Sequence, residues 1–167
     1  MLNSINQISG QQQRLTLDYI LNQLLKDGII SQQQFSQLQN YLGNKEQQIH
    51  PLITIAEQNW QSSTKPPYPL SLEELTRWLA KKSGQEYLRI DPLKIDVAKI
   101  TGVVSQAYAS KLKILPVQVT EQEITVATCE PFVDDWENEL SRIANLSVKR
   151  VLVNPKDLDR YLVEFFG

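Results

Sequence analysis

Apolar residues in the first third of the chain recur at the spacing of a helix face. In "RLTLDYILNQLLKDG", Leu17, Ile20, Leu21, Leu24 and Leu25 fall at i, i+3, i+4, i+7 and i+8, which places them on one side of a 3.6-residue turn. Gly28 ends this helix, and Lys26 sits near the negative end of its dipole. Ser31 then fits an N-cap for "QQQFSQLQNYL", with Gln34 at the capping-box position. Phe35, Leu38 and Leu42 supply the apolar face, and Gly43 ends it. The pattern predicts a helical hairpin with a short turn. "HPLITIAEQNW" follows, with Pro51 suited to a first helical turn. Fourteen Gln lie between Gln7 and Gln61. Because the apolar spacing persists through these runs and Gln is a good helix former, they read as solvated helix faces rather than low-complexity disorder.

The pattern changes after "QSSTKPPYPL", Gln61 to Leu70. Pro66, Pro67 and Pro69 cannot continue a helix or a central strand, so the stretch reads as an extended linker. Beyond it, helix-period and short apolar runs alternate. "SLEELTRWLAKKSG" predicts a helix with Ser71 as N-cap, Glu74 as its box partner, and Leu72, Leu75, Trp78 and Leu79 on one face. "EYLRIDPLKID" is extended and broken by Pro92, and a short helix is predicted near Ser105 to Lys111. Strands are predicted over Ile114–Val119 and Ile124–Thr128, joined by a turn over Thr120–Glu123. "PFVDDWENELSRIAN" predicts a helix from Pro131, with Val133, Trp136, Leu140 and Ile143 on one face. "VKRVLV" is a third strand. Asn154 caps a last helix that has Pro155 at its first position.

The fold class expected is therefore α+β: an N-terminal helical module over 1–60, a Pro-rich linker over 61–70, and a compact α/β sandwich with about three strands over 71–167.

Composition narrows the function. The 167 residues carry a formal net charge of -2, not the positive field that nucleic-acid binding usually needs. A single Cys excludes a disulfide scaffold. No apolar run resembles a signal core or a membrane span, so any membrane association is expected to be peripheral or through a partner. With one His and one Cys, no His/Cys metal set can form within the chain. There is no Gly-x-x-x-x-Gly-Lys-Ser/Thr and no Gly-x-Gly-x-x-Gly.

The strongest catalytic candidate is Cys129 with Glu130, between a predicted strand and a predicted helix. A thiol at a helix start can be acidic, yet a nucleophilic Cys wants a base, and His50 lies in the other half. A structural Cys and a helix-start acid fit better. The acids Asp134, Asp135, Glu137 and Glu139 read as a solvated face. Asp91 and Asp96 read as turn and cap residues, although they flank a conceivable cation site. His50 reads as a surface turn residue. Trp78, Trp136, Tyr108 and Tyr161 read as core or core-rim residues, and an exposed one would mark a docking surface. No catalytic, cofactor or metal residue is assigned.

Four stretches carry a resemblance: "LTRWLAKKSGQEYLRIDPLKIDVAKI", "YASKLKILPVQV", "EITVATCEPFVDDWENEL" and "RVLVNPKDLDRYLVEFF". In order over 71–167, they resemble the N-terminal domain of the type II secretion / type IV pilus assembly ATPases. The resemblance implies a non-catalytic recruiting domain. In that family it docks the motor to the cytoplasmic part of an inner-membrane assembly protein. It also implies that ATP and Mg belong to an ATPase core, a partner domain that this sequence does not contain. The closing "EFFG" reads as a cut within a longer protein. The implied location is the cytoplasmic side of the inner membrane.

More loosely, the first half resembles helical modules of the same family, some of which bind cyclic di-GMP through Arg-Leu-Gly, apolar residues, then Gly-x-Ile. "KDGII" places Gly28 and Ile30 on that pattern, but Tyr19, Ile20 and Leu21 occupy the Arg-Leu-Gly positions. The guanidinium that suits an anionic ligand and the small residue that allows close approach are both missing. A cyclic di-GMP sensor is the alternative expectation.

Overall fold

The computed structural model describes residues 14–41 and 49–167. They fall into two compact units, Leu15–Leu75 and, grouped with Arg14, Thr76–Gly167.

The first unit is helical. Helix α1 (Leu17–Lys26) is capped by Thr16, whose side chain accepts from Tyr19 N. Its residues Leu17, Ile20, Leu21 and Leu24 are buried, as the periodicity predicts. Gly28 turns the chain at φ +74, a left-handed conformation that costs glycine little. Helix α2 (Gln32–Tyr41) begins in the expected capping box: Gln34 N donates to Ser31 Oγ at 3.1 Å, and Ser31 N donates to Gln34 Oε1 at 2.8 Å. The expected end at Leu42 and Gly43 lies outside the described residues. Helix α3 (Pro51–Ala56) starts with Pro51 behind His50. Helices α2 and α3 both pack on α1, and Ile30, Leu38, Leu52, Ile55 and Leu70 complete the core.

The Pro-rich tract is a closed loop of this unit. Leu70 N donates to Trp60 O at 2.9 Å and Ser62 N to Tyr68 O at 2.8 Å, with Gln61 bridging antiparallel to Pro69. Prolines bend it, but the polar groups between them close it. Ser71 then starts helix α4 (Leu72–Ser83), its Oγ accepting from Glu74 N at 3.1 Å. The division between the units falls inside α4.

The second unit is built on a four-stranded sheet in the order β1-β4-β3-β2. Its strands are β1 (Glu86–Tyr87), β2 (Leu115–Val119), β3 (Glu123–Thr128) and β4 (Ser147–Leu152). Three of them correspond to the predicted strands within one residue at each end. The fourth, β1, corrects the expected count. It is two residues long, too short for any periodicity, and exists because Glu86 and Tyr87 align parallel with Val151 and Leu152. Strands β2 and β3 are antiparallel, with a register shift between Pro116 and Gln118. Pro116 has no N–H to give, and an edge strand tolerates that. Strands β3 and β4 are parallel, so a helical crossover must join them.

That crossover is α7 (Glu137–Ala144), which packs on β4. It begins six residues later than the predicted start at Pro131. The reason is tertiary. The Pro131 carbonyl accepts from Arg150 Nη1 at 2.7 Å and from Gln85 Nε2 at 3.3 Å, while Arg150 also pairs with Glu137 at the start of α7. The remaining helices are α5 (Val97–Thr101), α6 (Gln106–Leu112) and α8 (Pro155–Phe166). The sequence pattern does not separate α5 from its surroundings. Asn154 caps α8, accepting from Lys156 N and Asp157 N. Helix α8 packs against α5, α6, β2 and β3, and Ile100, Ile114, Leu115, Val126, Leu140 and Leu158 are among the buried core of this unit.

Candidate functional site

The bulged edge of the sheet and the chain that follows β1 enclose a groove of about 380 Å³ in the second unit. Register explains its floor. Thr125 pairs with Lys149, Gln118 with Thr125, and Glu86 with Val151, so alternation brings these side chains to one face. Val117 and Val151 from the sheet, with Ile90 and Ile95 from the crossing chain, make it apolar. Its rim is charged by Arg89, Lys94 and Lys149 against Glu86 and Asp91. Lys149 Nζ lies 3.1 Å from Glu86 Oε1.

Beside the groove, Pro92–Lys94 forms a 3₁₀ turn. Asp91 fixes it by accepting from Leu93 N through Oδ1 at 3.1 Å and from Lys94 N through its carbonyl at 2.9 Å. The turn holds Leu93 out into solvent at 93% exposure. An apolar side chain held outward by a hydrogen-bonded turn at a groove's lip suits contact with another protein surface. Little in the sequence marks Leu93. Its one signal was a Leu between Pro92 and Lys94 with no periodic apolar neighbours.

The residues weighed from sequence are dispersed. Cys129 packs its side chain against the core. Burial is the main cause that pushes its thiol well above the ordinary range, and the negative charges of Glu130 and Asp159 add to it. That is the opposite of what a thiolate nucleophile needs. Glu130 N donates to Thr128 Oγ1 at 3.0 Å in the strand-to-turn transition. His50 caps α3, its Nδ1 accepting from Leu52 N at 3.2 Å. This is a more specific role than the surface turn expected of it, and one that requires an unprotonated Nδ1.

The acid run does not converge. Glu137 faces Arg150, Glu139 accepts from the Tyr108 hydroxyl at 3.2 Å, and Asp134 and Asp135 are exposed. Asp91 and Asp96 are both caps, the latter accepting from Lys99 N at 3.2 Å. Among the described residues no group of three His, Cys, Asp or Glu side chains is placed to hold a metal ion. No described helix is long and apolar enough to cross a membrane.

The aromatics are packed as expected. Trp136 and Tyr161 are buried, and Trp78 and Tyr108 are half-buried. Tyr161 stacks on Phe165 with centroids 5.2 Å apart. Burial raises the Tyr108 phenol pKa, and the adjacent Glu139 charge raises it further.

In the first unit, the cyclic-dinucleotide pattern meets a steric fact. Ile20 and Leu21, at the Leu-Gly positions, are fully buried in the α1 face. Tyr19, at the Arg position, is half-buried. Among the described residues of this unit, Lys26 and Lys65 stand against Asp18, Asp27, Glu57, Glu73 and Glu74.

Residues 83–167 match the MshEN domain family. The type IV pilus assembly ATPase TfpB of Acinetobacter baylyi (strain ATCC 33305 / BD413 / ADP1) is 40% identical over 150 residues, covering 89% of this chain. The chain spans only 26% of that relative's length. Among solved structures, one of MshE with cdg matches at a TM-score of 0.57 with 16% identity, over 91% of this chain and 99% of the other. The N-terminal domain of XpsE matches at 0.55 with 11% identity, over 92% and 99%. These two likenesses concern the fold. Together with the family match, they place the four stretches picked out in the sequence within a known domain: the chain belongs to the MshEN domain family, the N-terminal domains of type II secretion and type IV pilus assembly ATPases.

Proposed function

We propose that this chain is a non-catalytic docking region of a pilus-assembly or secretion ATPase. It would hold the motor to the cytoplasmic domain of an inner-membrane assembly protein. The observation that carries the reading is the 40% identity, over 89% of the chain, to a type IV pilus assembly ATPase more than three times as long. The phosphate loop that a motor needs is not in this sequence. On this reading, ATP and Mg²⁺ belong to a core domain elsewhere in the protein, and this chain takes no cofactor. Its membrane association is indirect. The groove beside Leu93 supplies the docking face: an apolar floor for side chains of the partner, a mixed-charge rim for orientation, and a preset apolar anchor.

The test is calorimetric titration of the full chain with the cytoplasmic domain of its inner-membrane partner. The expected result is saturable binding that Leu93→Asp weakens at least tenfold while the fold is kept, a loss of about 1.4 kcal/mol or more. A folded chain that gives no heat and no pull-down sinks the docking reading. Equal binding by wild type and Leu93→Asp moves the interface off the groove.

A second reading, ligand sensing by the helical unit, is favoured by the likeness to the MshE structure with cdg. The pattern at Gly28 and Ile30 supports it; Tyr19, Ile20 and Leu21 and the acidic balance of the unit weigh against it. A flat titration with cyclic di-GMP at high micromolar concentration would remove it for the chain as it stands.

A further inference from the structure

The two helical hairpins of the chain share a plan. In the first, α1 ends, Gly28 turns at φ +74, Ile29 leads to buried Ile30, and Ser31 caps α2. In the second, α3 ends, Asn59 turns at φ +56, Trp60 leads to buried Leu70, and Ser71 caps α4. Between the turn residue and the cap, the second hairpin carries Gln61–Pro69 where the first passes directly from Ile29 to Ile30. Its ends meet, with Leu70 N bonded to Trp60 O at 2.9 Å. It is an insertion into a turn.

The inserted loop reaches back to the turn of the first hairpin. Ser63 N donates to Ile29 O at 2.9 Å, and Ser63 Oγ donates to Gly28 O at 3.0 Å. Gln34 Nε2, at the start of α2, donates to Gln61 O at 3.1 Å. The loop is held in this shape by its own bonds: Ser62 Oγ accepts from Tyr68 N at 3.0 Å and lies 2.7 Å from Thr64 Oγ1, which also donates to Pro66 O at 3.1 Å. Ser62 is buried. Two neighbouring carbonyls on a turn form an acceptor pair, and one serine fills both with adjacent N–H and O–H donors.

We propose that Gln61–Pro69 is an internal occupant of the α1–α2 turn, standing where a ligand with a two-donor edge would bind. A guanine base is the matching chemistry: its ring N–H lies beside the N2 amine, itself a donor. Such a ligand must displace Ser63 to read Gly28 and Ile29. The inference rests on the ligand-sensing reading for the identity of the ligand, and on hydrogen bonds alone for the closure.

The experiment uses the full chain in three forms: wild type, Ser63→Ala, and a deletion of 61–69 that joins Trp60 to Leu70 as Ile29 joins Ile30. Amide exchange followed by NMR reads the closure at Ser63, and calorimetry with cyclic di-GMP reads the ligand. In the free wild type, the Ser63 amide is expected to be protected. Added cyclic di-GMP is expected to expose it, and the deletion is expected to bind about tenfold or more tightly than wild type, the scale of one to two lost hydrogen bonds. Ser63→Ala, which loses only the hydroxyl bond, falls between them and decides the matter if the deletion does not fold. An unprotected Ser63 amide in the free chain overturns the closure. Equal affinity in all three forms, or binding that leaves Ser63 protected, overturns the displacement. A protected Ser63 with a folded deletion that gives a flat titration overturns the guanine-type ligand and the ligand-sensing reading while the closure stands.

Discussion

The two units are held together by different kinds of information. In the helical unit, elements start and stop on neighbours in sequence. Thr16, Ser31 and His50 cap helices within three residues of themselves, and the buried face of α1 is its i, i+3, i+4 stripe. In the sheet unit, decisive partners are distant. Arg150 bonds to Pro131 and pairs with Glu137, and β1 exists through residues more than sixty positions along the chain. Local signals can be read from a window of sequence; pairings across a sheet depend on register and burial that no window contains.

The largest expected effect tests the local stripe. Leu24→Ala, at a fully buried position of α1, should cost about 2–5 kcal/mol in chemical denaturation of the chain. Leu93→Ala should lie within about 0.5 kcal/mol of wild type, since that side chain is already in water. A similar loss at both positions would mean that Leu93 is buried in solution and is no docking anchor.

Next is the long-range clasp. Arg150→Met keeps the stem but removes the bonds to the Pro131 carbonyl and Glu137, with a loss of about 1–3 kcal/mol. In the same variant, amides over 131–137 should exchange faster while those of α1 do not change. Uniform exchange across the chain would show that Arg150 does not hold the late start of α7.

The caps offer the matched comparison. His50→Ala in the first unit and Asn154→Ala in the second should each cost about 1 kcal/mol, read from urea midpoints with unchanged slope. If only one of them matters, the other helix is held by packing and not by its cap.

The smallest effect concerns two phenols, one in each unit. Burial and then the neighbouring carboxylate raise the pKa of Tyr68, beside Glu74, and of Tyr108, beside Glu139. A raised folded-state value means that this stabilisation is complete below the unfolded phenol value of about 10 and is lost as pH rises through the folded one. Ultraviolet titration of the folded chain should find both phenols ionising late. Tyr68→Phe and Tyr108→Phe should each flatten the alkaline decline in stability. An unchanged alkaline slope in both variants would remove these residues as its cause.

The helix spacing, the Ser31–Gln34 box, the Ser71 and Asn154 caps and three of four strands were legible in the sequence, because each is decided by backbone propensity, side-chain period or a bond to a near neighbour. The chain's own residues also carried the family resemblance over 71–167, and they argued against Cys129 as a nucleophile by supplying no nearby base. Tertiary structure alone decided the rest. It added β1, which two residues could not announce. It delayed α7, because an arginine on β4 takes the Pro131 carbonyl. It closed the proline tract, because Ser62, Ser63 and Thr64 find acceptors that lie as far as thirty-five positions back. It also set Leu93 outside and Cys129 inside, since burial is a property of what surrounds a side chain and not of the side chain itself.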